Sequence, residues 1–144
     1  MSVGFVAMPL DAQNLAWAAA EGAAAPAPVR FGRWPTSAEL RAVLLSLEDW
    51  RTTFRDNTQG GWDAYLDAAE GEVGVIWTKH IDMPNSPAPF TFHRATPRFA
   101  LRVLERLSYV CGAFLLVSEA NATPVLVAPG ADVESLRLRL TASA

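Results

Sequence analysis

The stretch that most constrains the fold runs from Phe90 to Ala128, where a strand, a capped amphipathic helix and two further strands follow in close succession. Thr96 offers a side-chain oxygen at the N-cap, and Pro97 takes the first helical position, where its missing N–H costs nothing. Gly112 supplies the stop. Between them Phe99, Ala100, Val103, Leu104, Leu107, Val110 and Cys111 form one wide apolar stripe. Such a stripe needs a surface to cover, and the flanking apolar runs provide one. Phe90 to His93 reads as a strand, Phe114 to Val117 as a strand covered on both faces, and Val125 to Val127 as another strand after a turn at Asn121.

Upstream, Val3 to Met8 reads as a strand and Leu10 to Glu21 as a helix, with Asp11 at its start and Gly22 at its end. The Ala/Pro segment from Ala23 to Pro28 is too short to separate domains. A second helix begins at Thr36, with Glu39 placed to close a capping box and Leu40, Val43, Leu44 and Leu47 along one face. From Trp50 the period falls to two. Trp50, Thr52 and Phe54 share one side, and after Gly60-Gly61 so do Trp62, Ala64, Leu66 and Ala68. Glu70-Gly71 reads as a hairpin turn, and Val73, Val75, Trp77 and Ile81 then line one face of a longer strand. Three prolines between Asp82 and Pro89 mark a loop before the strand at Phe90, which completes an antiparallel meander. The tail alternates Leu136, Leu138 and Leu140 with arginines and is predicted as a strand, although Val133, Leu136 and Leu140 also fit a helix. The expectation is a single α+β domain over residues 1–144. Its sheet is mostly antiparallel or mixed, about five to seven strands, with two to three helices mainly on one face.

At 144 residues with 51% apolar and 19% charged side chains, the chain has ample core material, which excludes a disordered tail. Its one cysteine, Cys111, cannot form an internal disulfide, which suits a reducing compartment. No run approaches the length needed to span a bilayer. The apolar stretch Val3 to Leu10 lacks the basic flank of a secretory leader, the first basic residue being Arg30, so the expected location is cytoplasmic. Lys79 is the only lysine, and this arginine and alanine usage suggests a GC-rich bacterial genome. The net charge of −3 argues against general nucleic-acid affinity. Residues 1–89 carry six positive against eleven negative groups and residues 90–144 six against four, so the charge is unevenly spread.

Three constellations deserve weighing. Arg98, Arg102 and Arg106 recur every four residues on the polar side of the stripe-bearing helix, where they form either a grip for acidic groups or an ordinary solvated face. Asp63, Asp67, Glu70 and Glu72, flanked by Trp62 and Tyr65, make an acidic hairpin suited to a basic partner, or a plain polar strand face. His80, Asp82 and His93 end adjacent strands and would serve as metal ligands or acid–base groups if those strands paired; their spacing matches no metal motif. Cys111 lies at a helix C-terminus on the apolar stripe, which is the wrong place for a reactive thiolate and the right one for core. Trp50 and Trp77 fall on apolar faces and are expected in the core, whereas Trp34 and Trp62 are candidate contact residues.

The chain has no nucleophile elbow, phosphate loop or dinucleotide fingerprint. The preferred expectation is a non-enzymatic protein-binding module without cofactor. Its most concrete form is a bacterial immunity or inhibitor protein that neutralises a cognate toxin through a basic surface of that partner. The candidate contacts are Trp34, Trp62, Asp63, Tyr65, Asp67, Glu70, Glu72, Arg98, Arg102 and Arg106. The alternatives are a small metal-dependent or acid–base enzyme using His80, Asp82 and His93, and binding of an acidic ligand or nucleic acid by the arginine row.

Overall fold

The computed structural model describes residues 3–23, 29–120 and 123–141. In chain order the elements are β1 (Val3–Pro9), α1 (Ala12–Ala20), α2 (Ser37–Ser46), β2 (Arg51–Asp56), β3 (Trp62–Ala68), β4 (Gly71–Thr78), β5 (Phe90–Ala95), α3 (Pro97–Cys111), β6 (Phe114–Ser118), β7 (Pro124–Val127) and α4 (Val133–Thr141). The strands form one sheet in the order β2-β3-β4-β5-β1-β6-β7, and every neighbouring pair is antiparallel. The meander from β2 to β5 is as the alternation predicts. The unit from Phe90 to Ala128 also forms, with one change: β5 and β6 are not neighbours, because β1 is inserted between them.

Local chemistry explains the helix starts. Asp11 accepts a hydrogen bond from the Asn14 backbone N–H and Asn14 accepts one from that of Asp11, which closes a capping box on α1. Thr36 and Glu39 do the same for α2, and Thr96 accepts from the Phe99 N–H at the start of α3. The Arg33 guanidinium grips Glu39 at 2.8 and 3.0 Å. That bond, reinforced by the Thr36 N–H, holds the Glu39 carboxyl down at about 2.

α2, α3 and α4 cover one face of the sheet. Phe5, Phe90, Phe92, Phe114 and Ile76 from the strands meet Leu40, Leu44, Phe99, Leu104 and Leu107 from the helices in the larger core. A chain of edge-to-face rings runs through it from Trp34 to Phe90, Phe92, Phe99 and Trp50, with centroids 5.0 to 5.9 Å apart. α1 lies on the opposite face, over Leu115 and Leu126, in a smaller cluster with Leu10, Ala18 and Ala113. Among the described residues the helices are therefore four rather than two to three, and one of them covers the second face at the β6–β7 end.

The structure departs from the sequence pattern in the tail and in β4. The tail is the helix α4, not a strand. Asp132 accepts from the Glu134 and Ser135 N–H groups at its start, Leu140 is buried, and Arg137 pairs with Glu134 one turn away. Helical spacing puts Leu136 and Leu140 on the core, while Leu138 stays exposed. In β4 the apolar phase shifts, because Leu66 pairs with Gly74 and Asp67 with Glu72, leaving Val73 without a counterpart. Beyond that bulge Ile76 and Thr78 point into the core and Trp77 points away from it, while Ile81 lies outside the strand.

Gly74 sits under α3, where an added Cβ would be 2.3 Å from the Phe99 ring. Gly74→Ala is expected to force Phe99 out of its place and lower unfolding stability by about 2 kcal/mol or more, read by urea denaturation. Glu39 has a folded-state value below its ordinary 4.5, so its stabilisation is complete above 4.5 and is lost as the pH falls toward about 2. Glu39→Gln is expected to destabilise by about 1 kcal/mol at pH 7, since the pair is half exposed and screened, and to flatten the acid limb of the melting curve over that window.

Candidate functional site

Because α1 covers only the β6–β7 end of the second face, the same face of β2 to β5 carries no helix among the described residues. The strand register places its side chains in rows. Arg51 stands opposite Asp67, with Glu72 beyond it; Thr53 opposite Tyr65, with Val75 beyond it; and Arg55 opposite Asp63, with Trp77 beyond it. Two of these rows therefore set an arginine across from a carboxylate, and Glu72 is held by Arg94 at 3.0 Å. The hairpin carboxylates thus lie in a mixed-charge grid rather than an acidic patch.

The apolar weight of this face is aromatic. Trp77 is 43% exposed and stacks on His93, with ring centroids 3.5 Å apart and planes 13° from parallel. The Arg55 guanidinium sits 5.3 Å from the Tyr65 ring, and Val6 of β1 is exposed nearby in sequence order of the sheet. Where β4 ends and β5 begins, the face opens into a groove of about 900 Å³. Its walls include Val6, Trp34, Trp77, Pro87, Pro89 and Phe90, and its polar side is made by residues 57–59 with Asp63, Lys79 and His80.

That polar side is held in place by Asn57. Its amide donates to Asp63 Oδ1 at 2.9 Å and to the Thr78 carbonyl at 2.7 Å. Its oxygen accepts from the Gln59 and Gly61 N–H groups, each at 3.0 Å. The His80 N–H donates to the Gln59 carbonyl and the Ile81 N–H to that of Gly60. His80 takes a φ of 59°, in the left-handed region that non-glycine residues seldom adopt, and it does so at the rim of the groove.

A second hollow of about 590 Å³ lies beside the start of α2, floored by Trp62 and Arg41. The first backbone N–H groups of that helix are already engaged. Ser37 donates to the Ser86 carbonyl, Ala38 to that of Pro84, and Glu39 to Thr36 Oγ1. These three backbone donors at the helix start are therefore not open to an anion.

The predicted contact residues divide between two sides of the molecule. Asp63, Tyr65, Asp67 and Glu72 lie on the helix-free face, and Glu70 sits in the turn between β3 and β4. Arg98, Arg102 and Arg106 lie on α3, across the sheet from them, so the two groups do not form one surface. Arg102 is committed to Asp49 and packs over the Trp50 ring at 5.1 Å, which removes one cation from the row. Trp34 is half-buried between Phe90 and Phe114 and still lines the groove.

Trp62, a candidate contact residue, is buried at 3% exposure, with its indole N–H donated to Ser37 Oγ at 2.9 Å. The expected core residue Trp77 is the exposed one, because the bulge at Val73 shifts the phase of β4, whereas Trp62 follows Ala64 and Leu66 to the inner side of β3. His80, Asp82 and His93 do not come together. His93 stacks on Trp77, and among the described residues no group of three or more His, Cys, Asp or Glu side chains could hold a metal. Cys111 is buried, and burial pushes its thiol up. No helix among the described residues is long and apolar enough to cross a membrane. Sequence reasoning missed Asn57, Lys79 and Val6 as site residues; the Asn57…Gly60-Gly61 spacing between two strands was the one signal of an ordered turn there.

Comparison of the chain with protein-family models, with curated proteins and with solved structures finds no significant match.

Asn57→Ala removes four hydrogen bonds that hold the groove's polar side. It is expected to cost about 2 kcal/mol and to raise amide exchange at residues 57–61 and 78–81 well above that of the β1–β6 pair.

Proposed function

We propose that this chain is a small protein-binding module, most concretely a bacterial inhibitor of the immunity type that neutralises a toxic enzyme by covering its active site. The observation that carries this reading is the helix-free face of β2 to β5. Four strands present it without a covering helix among the described residues, and an exposed tryptophan is stacked against a histidine ring on it. Large aromatic side chains ringed by polar and charged groups are what anchor protein interfaces. The alternating signs of Arg51, Asp67, Arg55 and Asp63 favour a partner with its own mixed pattern, so the rings provide affinity and the charges provide register. Glu70 and the overall net charge of −3 still steer a basic partner toward this hairpin.

The test is capture on the immobilised protein from its own host, repeated with Trp77→Ala and with Arg98→Glu. The expected outcome is a stoichiometric partner whose enzymatic or toxic activity is suppressed in the complex. Trp77→Ala is expected to weaken that complex by about thirtyfold or more, as for an interface anchor, and Arg98→Glu to leave it unchanged. A protein that stays monomeric and retains nothing removes the reading. So does a partner that binds Trp77→Ala as tightly as the wild type.

A further inference from the structure

The groove at the end of β4 is a formed site of a different kind from the open face beside it. Its volume of about 900 Å³ lies within the range of small-molecule sites, roughly 300–1,000 Å³. Trp34, Trp77, Pro87, Pro89 and Val6 give it an apolar wall, and residues 57–59 with Asp63, Lys79 and His80 supply polar groups of the kind that fix a ligand's orientation. The polar side is rigid before any ligand arrives. Asn57 ties together Asp63, Thr78, Gln59 and Gly61, and the backbone of His80 is held in a conformation it would not choose unaided.

The charge in the groove selects the ligand's sign. Asp63 is the carboxylate on its wall, and it already accepts a hydrogen bond from the Asn57 amide at 2.9 Å. Lys79, the only lysine in the chain, makes no ion pair among the described residues and lies next to His80 on the same rim. Arg55 stands across from Asp63 on β2, so the local balance with Lys79 is one positive charge in excess, and Trp77 and Trp34 supply flat rings beside it. We propose that this groove binds a small aromatic acid, with its ring against Trp77 and Trp34 and its carboxylate paired with Lys79. The inference does not depend on the protein-partner reading, and it is tested with no partner present.

The experiment titrates the purified protein with 1-naphthoate, with the neutral 1-naphthylmethanol and with acetate, following tryptophan fluorescence, to which Trp34 and Trp77 report directly. The expected result is saturable one-to-one binding of naphthoate, about tenfold tighter than the neutral ring, and no saturation with acetate. Lys79→Ala is expected to abolish the preference for the acid while the neutral ring still binds. Lys79→Arg is expected to restore the preference, and Trp77→Ala to weaken both ring compounds. Both positions are exposed, so the variants test binding rather than folding. The proposal is overturned if naphthoate fails to saturate by about 10 mM, if both ring compounds bind equally, or if the preference survives Lys79→Ala. Tighter binding of the neutral ring overturns it too, and marks the groove as a seat for an uncharged apolar segment.

Discussion

β1 must satisfy backbone hydrogen bonds on both of its edges, and the rest of the structure depends on that obligation. On one side it pairs with β6 over five residues, from Phe5 to Pro9; on the other it pairs with β5 through Val3 and Phe5. Without it the meander and the C-terminal hairpin would be two separate small sheets, each with an open edge next to a buried face. With it, the two become one seven-stranded surface. The helix α3, which leaves β5 and returns as β6 beyond β1, is held across the join.

That arrangement also determines what is left uncovered. α3 crosses the centre of one face, with α2 packed beside it toward the meander and α4 beside it toward β6 and β7. The remaining helix, α1, follows directly on β1 and reaches only the β6–β7 end of the other face. The far part of that second face is therefore open because the chain offers no further helix among the described residues to cover it. Its charges are arranged to tolerate water, with arginines across from aspartates, and its exposed ring is steadied by stacking on His93. The groove is a consequence of the same geometry. β1 continues past its last β5 partner, and the segment leading into β5 bridges Thr36 through Pro87 rather than pairing with β1, so the sheet has a notch at its end.

Much of the fold is legible in the residues. Thr36 with Glu39, and Thr96 with Pro97 and Gly112, mark helix ends because capping is chemistry between near neighbours. The alternation in β3 likewise reports its two faces, since each side chain's direction follows from the one before it. The failures occur where a local pattern is interrupted by a distant partner. One unpaired residue, Val73, moves the phase of β4 and puts Trp77 outside and Ile76 inside. Trp62 looks available beside two acidic residues, yet α2 brings Ser37 to its indole N–H from 25 positions away. The tail alternates as a strand does, but its apolar residues also keep helical spacing, and the edge of β7 does not recruit it.

By itself the sequence determined the element types up to β7, the caps, the meander and the burial of the α3 stripe apart from Val110, because each rests on interactions within a few residues. Only the tertiary structure decided that β1 lies between β5 and β6, that the arginine row and the acidic hairpin occupy opposite sides, and that His80, Asp82 and His93 stay apart. Strand order and bulge position are choices among long-range pairings with nearly equal local energies. They are settled by the packing of the whole sheet against its helices, which no short window of sequence contains.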